Sequence, residues 1–145
     1  MNASRDPYHL QRFVDAQEQV FLNVLTELKH GRKYGHWIWF IFPQLKGLGR
    51  SSTSEFYGIS SLDEAKAYLQ HSVLGPRLIQ CTELVIAIPG SDAKEIFGEI
   101  DAMKFRSCMT LFAAADPEQQ IFQQALEKYS GGEGDPLTLS YLRKR

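Results

Sequence analysis

The chain has 145 residues, a length typical of one compact domain, and we expect one domain over 1–145. Its 43% of hydrophobic and 12% of aromatic residues are enough to fill one core, which excludes a chain that is disordered throughout. The formal net charge of -1 excludes a surface built throughout to coat nucleic acid.

The two cysteines, Cys81 and Cys108, both lie in apolar periodic segments, which predicts reduced and buried thiols. Two cysteines are too few for the disulfide framework of a small secreted domain, and neither has the spacing of a zinc site. The first ten residues lack the apolar core of a signal peptide, and the chain has no run of about 18 apolar residues that would span a bilayer. We therefore expect a cytoplasmic protein with no membrane partner.

Apolar residues at helical spacing predict a long amphipathic helix at the start of the chain, in one piece or two. Asp6 and Pro7 are typical of a helix start, and Gly31 of a helix end. The stripe consists of Leu10, Phe13, Val14, Phe21, Val24, Leu25 and Leu28.

The stretch His36–Pro43 is rich in aromatic and β-branched residues, a composition that favours a strand. No partner strand is evident elsewhere, and a single strand cannot satisfy its backbone hydrogen bonds. We therefore predict a short buried helix that ends at Pro43. The residues that follow, 44–54, are rich in glycine and serine and predict a loop.

Helix signals continue to the end of the chain. The predicted starts are a capping box at Ser61, then Pro76, Ser91, Ile100, Asp116-Pro117 and Asp135-Pro136. The fold class predicted from this pattern is all-α, as a single orthogonal bundle of several helices around an aromatic-rich central segment.

No acidic residue occurs between Glu27 and Glu55, a window that is both basic and aromatic. It holds Lys29, His30, Arg32, Lys33, His36, Lys46 and Arg50, interleaved with Tyr34, Trp37, Trp39, Phe40 and Phe42. Cations beside aromatic rings suit a ligand that combines a phosphate with a flat ring, and the loop with Arg50 and Ser51 would add donors. The alternative is that the aromatic residues form the core and the basic residues a solvated rim, and the sequence leaves both interpretations open.

His36 borders both the aromatic run and the basic turn, which makes it the candidate for proton transfer. A histidine that is only hydrogen-bonded at the edge of the core is the alternative. No histidine has a neighbour at metal-ligand spacing, and neither a metal nor a cofactor is expected.

Two further groups of polar residues are candidates for the same site. Asp101, Lys104 and Ser107 lie on one predicted helix, although an ion pair between the first two residues also explains them. Arg77 lies in the first turn of a helix, where the dipole disfavours positive charge, and this predicts a tertiary partner or an anion.

Together these segments resemble the domain-of-unknown-function 1810 family over about 6–142. The resemblance is carried by Gly31-Arg32-Lys33, by His36–Gln44 with its tryptophans and Phe42-Pro43, by Gly47-Leu48-Gly49, Tyr57-Gly58-Ile59, Glu64-Ala65, Tyr68-Leu69, Leu74–Leu78 and Ile96-Phe97-Gly98, and by Asp101, Lys104-Phe105, Ser107 and Met109–Phe112. It implies a small bacterial protein with a mainly helical fold. It implies no activity, and the calpastatin label that some members carry has no counterpart in this sequence. Cys108 stands where the family pattern has a serine.

The sequence leads to the hypothesis of a small anionic or nucleotide-like ligand, of the phosphate or ADP-ribose class. Arg32 and Lys33 would neutralise the phosphate, Trp39 would stack and Gln44 would orient a polar edge. The remaining site residues are Trp37, Arg50, Ser51, Arg77, Asp101, Lys104 and Ser107, with His36 as the candidate acid or base. The second hypothesis is a non-catalytic protein–protein interaction or homodimerisation module, since tryptophan, tyrosine and arginine are frequent in interfaces. Nucleic acid is not expected, because it needs a longer basic groove, and the sequence leaves open whether the protein is an enzyme.

Overall fold

Helices make up the regular secondary structure within residues 5–144, the residues that this computed structural model describes. They are α1 (Gln11–Glu18), α2 (Phe21–Lys29), α3 (Ile38–Ile41), α4 (Ser52–Phe56), α5 (Leu62–Gln70), α6 (Leu74–Ala87), α7 (Ala93–Phe97), α8 (Glu99–Ala115), α9 (Ile121–Ser130) and α10 (Pro136–Arg143). A single-residue parallel bridge joins Leu45 to Ile59. The predicted all-α class is confirmed.

Helix α8 is the centre of the arrangement and packs against α3, α5, α7, α9 and α10. The Phe105 ring lies 5.0 Å from the Phe42 ring and 4.8 Å from the Phe97 ring, measured between centroids. Further along α8, Cys108 and Phe112 are fully buried. Because interlocking rings leave little freedom to shift, this packing fixes the face that α8 turns to solvent.

The predicted N-terminal helix forms in two pieces, α1 and α2, which are separated at Gln19 and Val20. Gln17, at the end of α1, is buried, and its amide donates to the Phe40 carbonyl at 2.7 Å and to the Tyr68 hydroxyl at 3.1 Å. These two bonds join α1 to α3 and α5.

The aromatic run forms the predicted short buried helix, α3, and the prediction that Pro43 ends it is confirmed. Trp37, Ile38, Ile41 and Phe42 are each at most 2% exposed. Proline has no backbone N–H to continue the helix, and it restricts the residue before it to an extended conformation.

Helix α4 lies partly inside the segment that the sequence predicts to be a loop. The Ser51 hydroxyl accepts a hydrogen bond from the Ser54 N–H at 3.0 Å and caps the helix. The start of the segment is joined to the chain that follows α4, because the Ile59 N–H donates to the Gln44 carbonyl and the Lys46 N–H donates to the Ile59 carbonyl, both at 2.9 Å. The loop prediction is wrong over residues 52–54, because a serine-rich stretch can also supply a helix cap.

A buried ion pair between Arg12 and Glu64 stabilises the chain that follows α4. The Arg12 guanidinium lies 2.9 Å from the Glu64 carboxylate and also donates to the carbonyls of Phe56 and Gly58, at 2.8 and 3.0 Å. The other carboxylate oxygen of Glu64 accepts from the Ser60 N–H at 2.8 Å. The pair therefore joins α1, α5 and the chain between α4 and α5.

Of the three predicted Asp-Pro helix starts, the last is confirmed. Asp135 caps α10 by accepting from the Thr138 N–H at 2.9 Å, and Pro136 is its first residue. The two earlier Asp-Pro pairs form turns, and α1 and α9 begin four residues after each proline. Ser61 caps α5 as predicted, whereas Asp92 rather than Ser91 caps α7.

Candidate functional site

A groove lies between the 44–54 segment on one side and helices α8 and α10 on the other, and we call it the α8 groove. Its volume is about 520 Å³, within the ~300–1,000 Å³ of ordinary small-molecule sites. The segment contributes residues 44, 48–51 and 54, α8 contributes 100, 103, 104 and 107, and the start of α10 contributes 135 and 137.

Lys104 is the charged group on the inner wall of the groove. Its side chain is 20% exposed, and its ammonium lies 5.0 Å from the centre of the Trp39 ring and 3.6 Å from an Asp101 oxygen. The other Asp101 oxygen lies closer to a different cation, Lys33, at 2.8 Å. Within the described residues Lys104 makes no direct hydrogen bond, so its N–H groups are available to a ligand.

The 44–54 segment brings an amide and hydroxyls to the opposite wall. The Ser51 and Ser54 hydroxyl oxygens lie 3.0 Å apart and share a hydrogen bond, and a serine hydroxyl can both donate and accept. A β-carbon placed on Gly49 would lie 3.6 Å from the Gln44 amide nitrogen and 2.4 Å from the Ser54 hydroxyl oxygen. Gly49, Gln44 and Ser54 are therefore in close contact, and the absence of a side chain at Gly49 makes that contact possible.

Three large apolar side chains border the groove and are open to solvent: Ile100 is 70%, Met103 64% and Leu137 67% exposed. Together with the partly buried Leu48 they give one side of the groove an apolar surface. A group of exposed large apolar residues beside polar ones is typical of a surface that binds something.

The two tryptophans of the chain differ in how their indole N–H groups are satisfied. The Trp37 indole donates to Glu27 at 3.0 Å. The Trp39 indole nitrogen is buried and has no hydrogen-bond partner within the described residues. Trp39 lines a narrow cleft whose lining includes Gln44, Ser54 and Lys104, which also line the α8 groove.

The structure brings five of the twelve predicted site residues together in the groove: Gln44, Arg50, Ser51, Lys104 and Ser107. Two more of the predicted site residues lie beside the groove. Trp39 lies in the adjoining cleft, and Asp101 is paired with Lys104.

Two predicted site residues are part of the fold instead. Trp37 is 2% exposed, so the prediction that it forms an open wall of a site is wrong. Lys33 has a side chain only 7% exposed, with its ammonium held by Asp101 and by the Gly35 carbonyl, so the phosphate contact predicted for it is corrected to a structural ion pair. Glu27 organises this turn by accepting from the N–H groups of Tyr34, Gly35 and the Trp37 indole.

The remaining predicted residues lie elsewhere. Arg77 has protein partners, Glu18 at 2.8 Å and Gln17 at 3.2 Å, which corrects its assignment as a ligand residue and confirms that it has a tertiary partner. His36 is exposed and does not line the α8 groove, and its proton-transfer role stays a prediction. Arg32 is exposed and lines a different, wider groove between α2, α6 and α7.

That second groove is larger, about 880 Å³, but it suits an anion less well. It holds Arg32 with Lys29 and His30, and it also holds Asp92 and Glu95, so the formal charges on its walls nearly cancel. In the α8 groove the one carboxylate, that of Asp135, is occupied in capping α10. We therefore take the smaller groove as the candidate site.

The two cysteines have raised pKa values, which fits a structural role in the core. Burial raises the pKa of Cys81 to about 12 and that of Cys108 well above its ordinary value, so neither thiol is a nucleophile near neutral pH. Both thiols are free and buried, as predicted. Within residues 5–144 no three histidine, cysteine or acidic side chains are placed to hold a metal ion together.

Sequence reasoning missed the apolar border of the groove and the polar Ser54. Ile100 and Met103 are three residues apart on α8, whereas Ala102 and Phe105 point to the core. Two large apolar residues on the solvent face of a helix were the available signal.

The class of protein defined by this fold is a small all-α protein with an open, half-apolar groove beside a central helix. The sequence matches the family described as protein of unknown function (DUF1810) over residues 7–142, and the chain belongs to that family. It is similar in structure to the conserved hypothetical protein Rv1873 from Mycobacterium tuberculosis, with 54% identity and a TM-score of 0.94 over 95% of this chain and 99% of that one. A comparison with curated proteins finds no significant match. Among the described residues no helix has both the length and the apolar character needed to cross a bilayer.

Proposed function

We propose that this protein binds a small anionic ligand with a flat or apolar part, of the nucleotide or ADP-ribose class, in the α8 groove. The observation that carries the proposal is the pairing of an available ammonium, Lys104, with the exposed apolar side chains of Ile100, Met103 and Leu137. A partly buried cation attracts an anion more strongly than an exposed one, because less water screens the charge. A base or nicotinamide ring would lie against the apolar border.

Other groups in the groove support an anion rather than a cation. Arg50 is an exposed second cation at its edge, and Gln44, Ser51 and Ser54 add hydrogen-bonding groups on the same wall. Nucleotide-like molecules are abundant inside cells, and a cytoplasmic location is part of this proposal.

Thermal unfolding with AMP, ADP-ribose, NAD and inorganic phosphate tests the proposal. A ligand present at 100 times its Kd stabilises the folded state by about 2.7 kcal/mol, which raises the Tm by several degrees in a domain of this size. The shift should vanish in Lys104→Met and persist in Lys66→Met, which removes an exposed lysine on α5. Lys104→Met should fold, because Asp101 keeps its closer partner Lys33. The absence of any shift, or equal shifts in both variants, contradicts the proposal.

A second candidate function, homodimerisation, is favoured by the same three apolar side chains, whose exposure of 64–70% is costly in a monomer. In that case two copies would cover each other's α8 groove. Light scattering over a range of concentrations would show a dimer that Met103→Glu dissociates. A monomer at every concentration removes this candidate and leaves the small ligand.

A further inference from the structure

Within residues 5–144, the Trp39 indole N–H is a buried side-chain donor without an acceptor. Its nitrogen is buried, and it is the one buried side-chain nitrogen or oxygen found without a hydrogen bond in the part of the chain that the structure describes. Buried donors are nearly always paired, since leaving one unpaired costs the full desolvation of the group. The other tryptophan shows the ordinary arrangement, because Trp37 donates to Glu27 at 3.0 Å.

The cleft that Trp39 lines offers space for one acceptor atom. Its volume is about 10 Å³, roughly the space that one water-sized group needs. Three residues of its lining, Gln44, Ser54 and Lys104, also line the α8 groove, so the cleft adjoins the groove. An oxygen placed there would have the Ser54 hydroxyl and the Gln44 amide on the same walls.

The charge beside the cleft favours a negatively charged oxygen over water. The Lys104 ammonium lies 5.0 Å from the centre of the Trp39 ring, on a side chain that is 20% exposed. Its nearest carboxylate, Asp101, is 3.6 Å away and is shared with Lys33. Charge-assisted hydrogen bonds to an anionic oxygen are roughly twice as strong as neutral ones.

We infer that the Trp39 indole N–H is a recognition donor, which binds one anionic oxygen of the ligand, together with Lys104, at the inner end of the α8 groove. This inference rests on the proposed function and adds the orientation of the ligand. One oxygen of the phosphate or carboxylate enters the cleft, and the rest of the ligand lies outside in the α8 groove, with its apolar part against Met103 and Leu137. Trp39 therefore recognises the ligand through its edge rather than by stacking.

Nuclear magnetic resonance of the ¹⁵N-labelled protein tests the inference, because the chain has two tryptophans and so two indole N–H signals. Trp37→Phe assigns the signals. Titration with inorganic phosphate, and then with AMP, should move the Trp39 signal downfield and leave the Trp37 signal, which already has Glu27 as acceptor, in place. Trp39→Phe keeps an aromatic ring but removes the N–H, and it should weaken AMP binding about tenfold or more without lowering the Tm of the free protein.

Failure of this inference differs from failure of the proposed function. If AMP raises the Tm but the Trp39 signal does not move, or if Trp39→Phe binds AMP as tightly as the natural chain, the cleft holds only water and the inference is overturned while the groove remains a binding site. If neither AMP, ADP-ribose, NAD nor phosphate changes the Tm or either signal, both are overturned. Equal movement of the two indole signals indicates a general effect of ionic strength and also counts against the inference.

Discussion

Replacement of Arg12 by methionine should destabilise the protein more than any single change in the groove. Arg12 uses its whole guanidinium within the protein: Nε donates to Phe56, Nη1 to Tyr8 and His9, and Nη2 to Gly58 and Glu64. Methionine fills much of the same volume but supplies no donor. The change would leave four carbonyls and a buried carboxylate without their partner.

The size of the effect follows from the burial of the pair. The side chains of Arg12 and Glu64 are 7% and 3% exposed, so water can replace little of what is lost. Removal of one partner of a buried ion pair costs about 3–5 kcal/mol, a large share of the ~5–15 kcal/mol that holds a typical domain folded. The Tm should fall by about 10–16 °C.

Urea denaturation of Arg12→Met, Glu64→Gln and the double variant measures this coupling. Glu64→Gln should cost less than Arg12→Met, because Arg12 keeps its four carbonyl acceptors. The double variant should be more stable than Arg12→Met alone, since it no longer buries an unpaired charge. A loss below about 1 kcal/mol for Arg12→Met, or simple additivity of the two changes, would refute the reasoning.

Three further changes test other parts of the fold. Partial burial raises the pKa of Glu27, but the hydrogen bonds to the neighbouring N–H groups and the charge of a nearby lysine outweigh it and hold the pKa below its ordinary value of 4.5. The ionised Glu27 should therefore stabilise the folded protein fully above about pH 4.5, and this stabilisation should be lost as the pH falls through the folded-state pKa. Glu27→Gln should remove that part of the acid dependence of the Tm. Iodoacetamide at pH 8 should not label Cys81 or Cys108 in the native protein, because burial raises the pKa of both thiols. Both thiols should react in urea, and mass spectrometry detects the label. Labelling of the native protein would contradict their burial. Lys128→Met removes an ammonium that donates to two carbonyls at the end of α6, and should cost about 1–3 kcal/mol in urea denaturation, whereas the exposed control Lys94→Met should change stability by less than about 0.5 kcal/mol.

The helical class could be predicted because apolar periodicity is local information. Of the seven residues in the predicted N-terminal stripe, four are buried, namely Leu10, Phe13, Val24 and Leu28. The other three are partly buried against the core: Val14, Phe21 and Leu25. The short helix α3 required a second argument, that a strand without a partner cannot satisfy its backbone. That argument holds because the bridge found among the described residues joins Leu45 to Ile59 and gives the 36–43 stretch no strand to pair with.

Exact helix starts could not be predicted where one motif serves two local structures. Asp-Pro caps a helix, and it also occupies the first two positions of a β-turn. At Asp6 and Asp116 the aspartate carbonyl accepts from the N–H three residues later, at 3.1 Å in both cases, which is the bond of a turn. Asp135 differs because its carbonyl accepts from the Leu139 N–H, four residues later, which is the bond of a helix. The carboxylates of both Asp6 and Asp135 accept from backbone N–H groups, those of Leu10 and Gln11 for Asp6 and that of Thr138 for Asp135. Tertiary packing, not the dipeptide, selects between the two.

The candidate site could be predicted by composition but not by position. The acid-free window contributes Gln44, Arg50 and Ser51 to the groove. The composition of this window does not reveal that Lys33 forms an ion pair, because its partner Asp101 lies 68 positions further along the chain. Which of the two lysines makes the closer contact with Asp101 depends on the fold, so composition alone could not distinguish Lys33 from Lys104.

The shape of the groove depends on the absence of a side chain at Gly49. It is not among the glycines with positive φ, so space rather than backbone conformation requires glycine there. A β-carbon at this position would lie 2.4 Å from the Ser54 hydroxyl oxygen and 2.6 Å from its β-carbon, distances at which one of the two elements must move. Gly49→Ala should therefore push the loop away from α4, at a cost of about 1–3 kcal/mol, and weaken the ligand binding proposed for the groove.

Removal of the Ser54 side chain should rescue that defect. Ser54→Gly alone should cost about 1 kcal/mol or less, as glycine does inside a helix, but it removes both atoms that an alanine at Gly49 would meet. In the Ser54→Gly background, Gly49→Ala should consequently cost little in urea denaturation, so the double variant should be more stable than the sum of the single losses predicts. Strict additivity would mean that the loop absorbs the extra methyl group without touching α4, and the contact between Gly49 and Ser54 could then not be what shapes the groove.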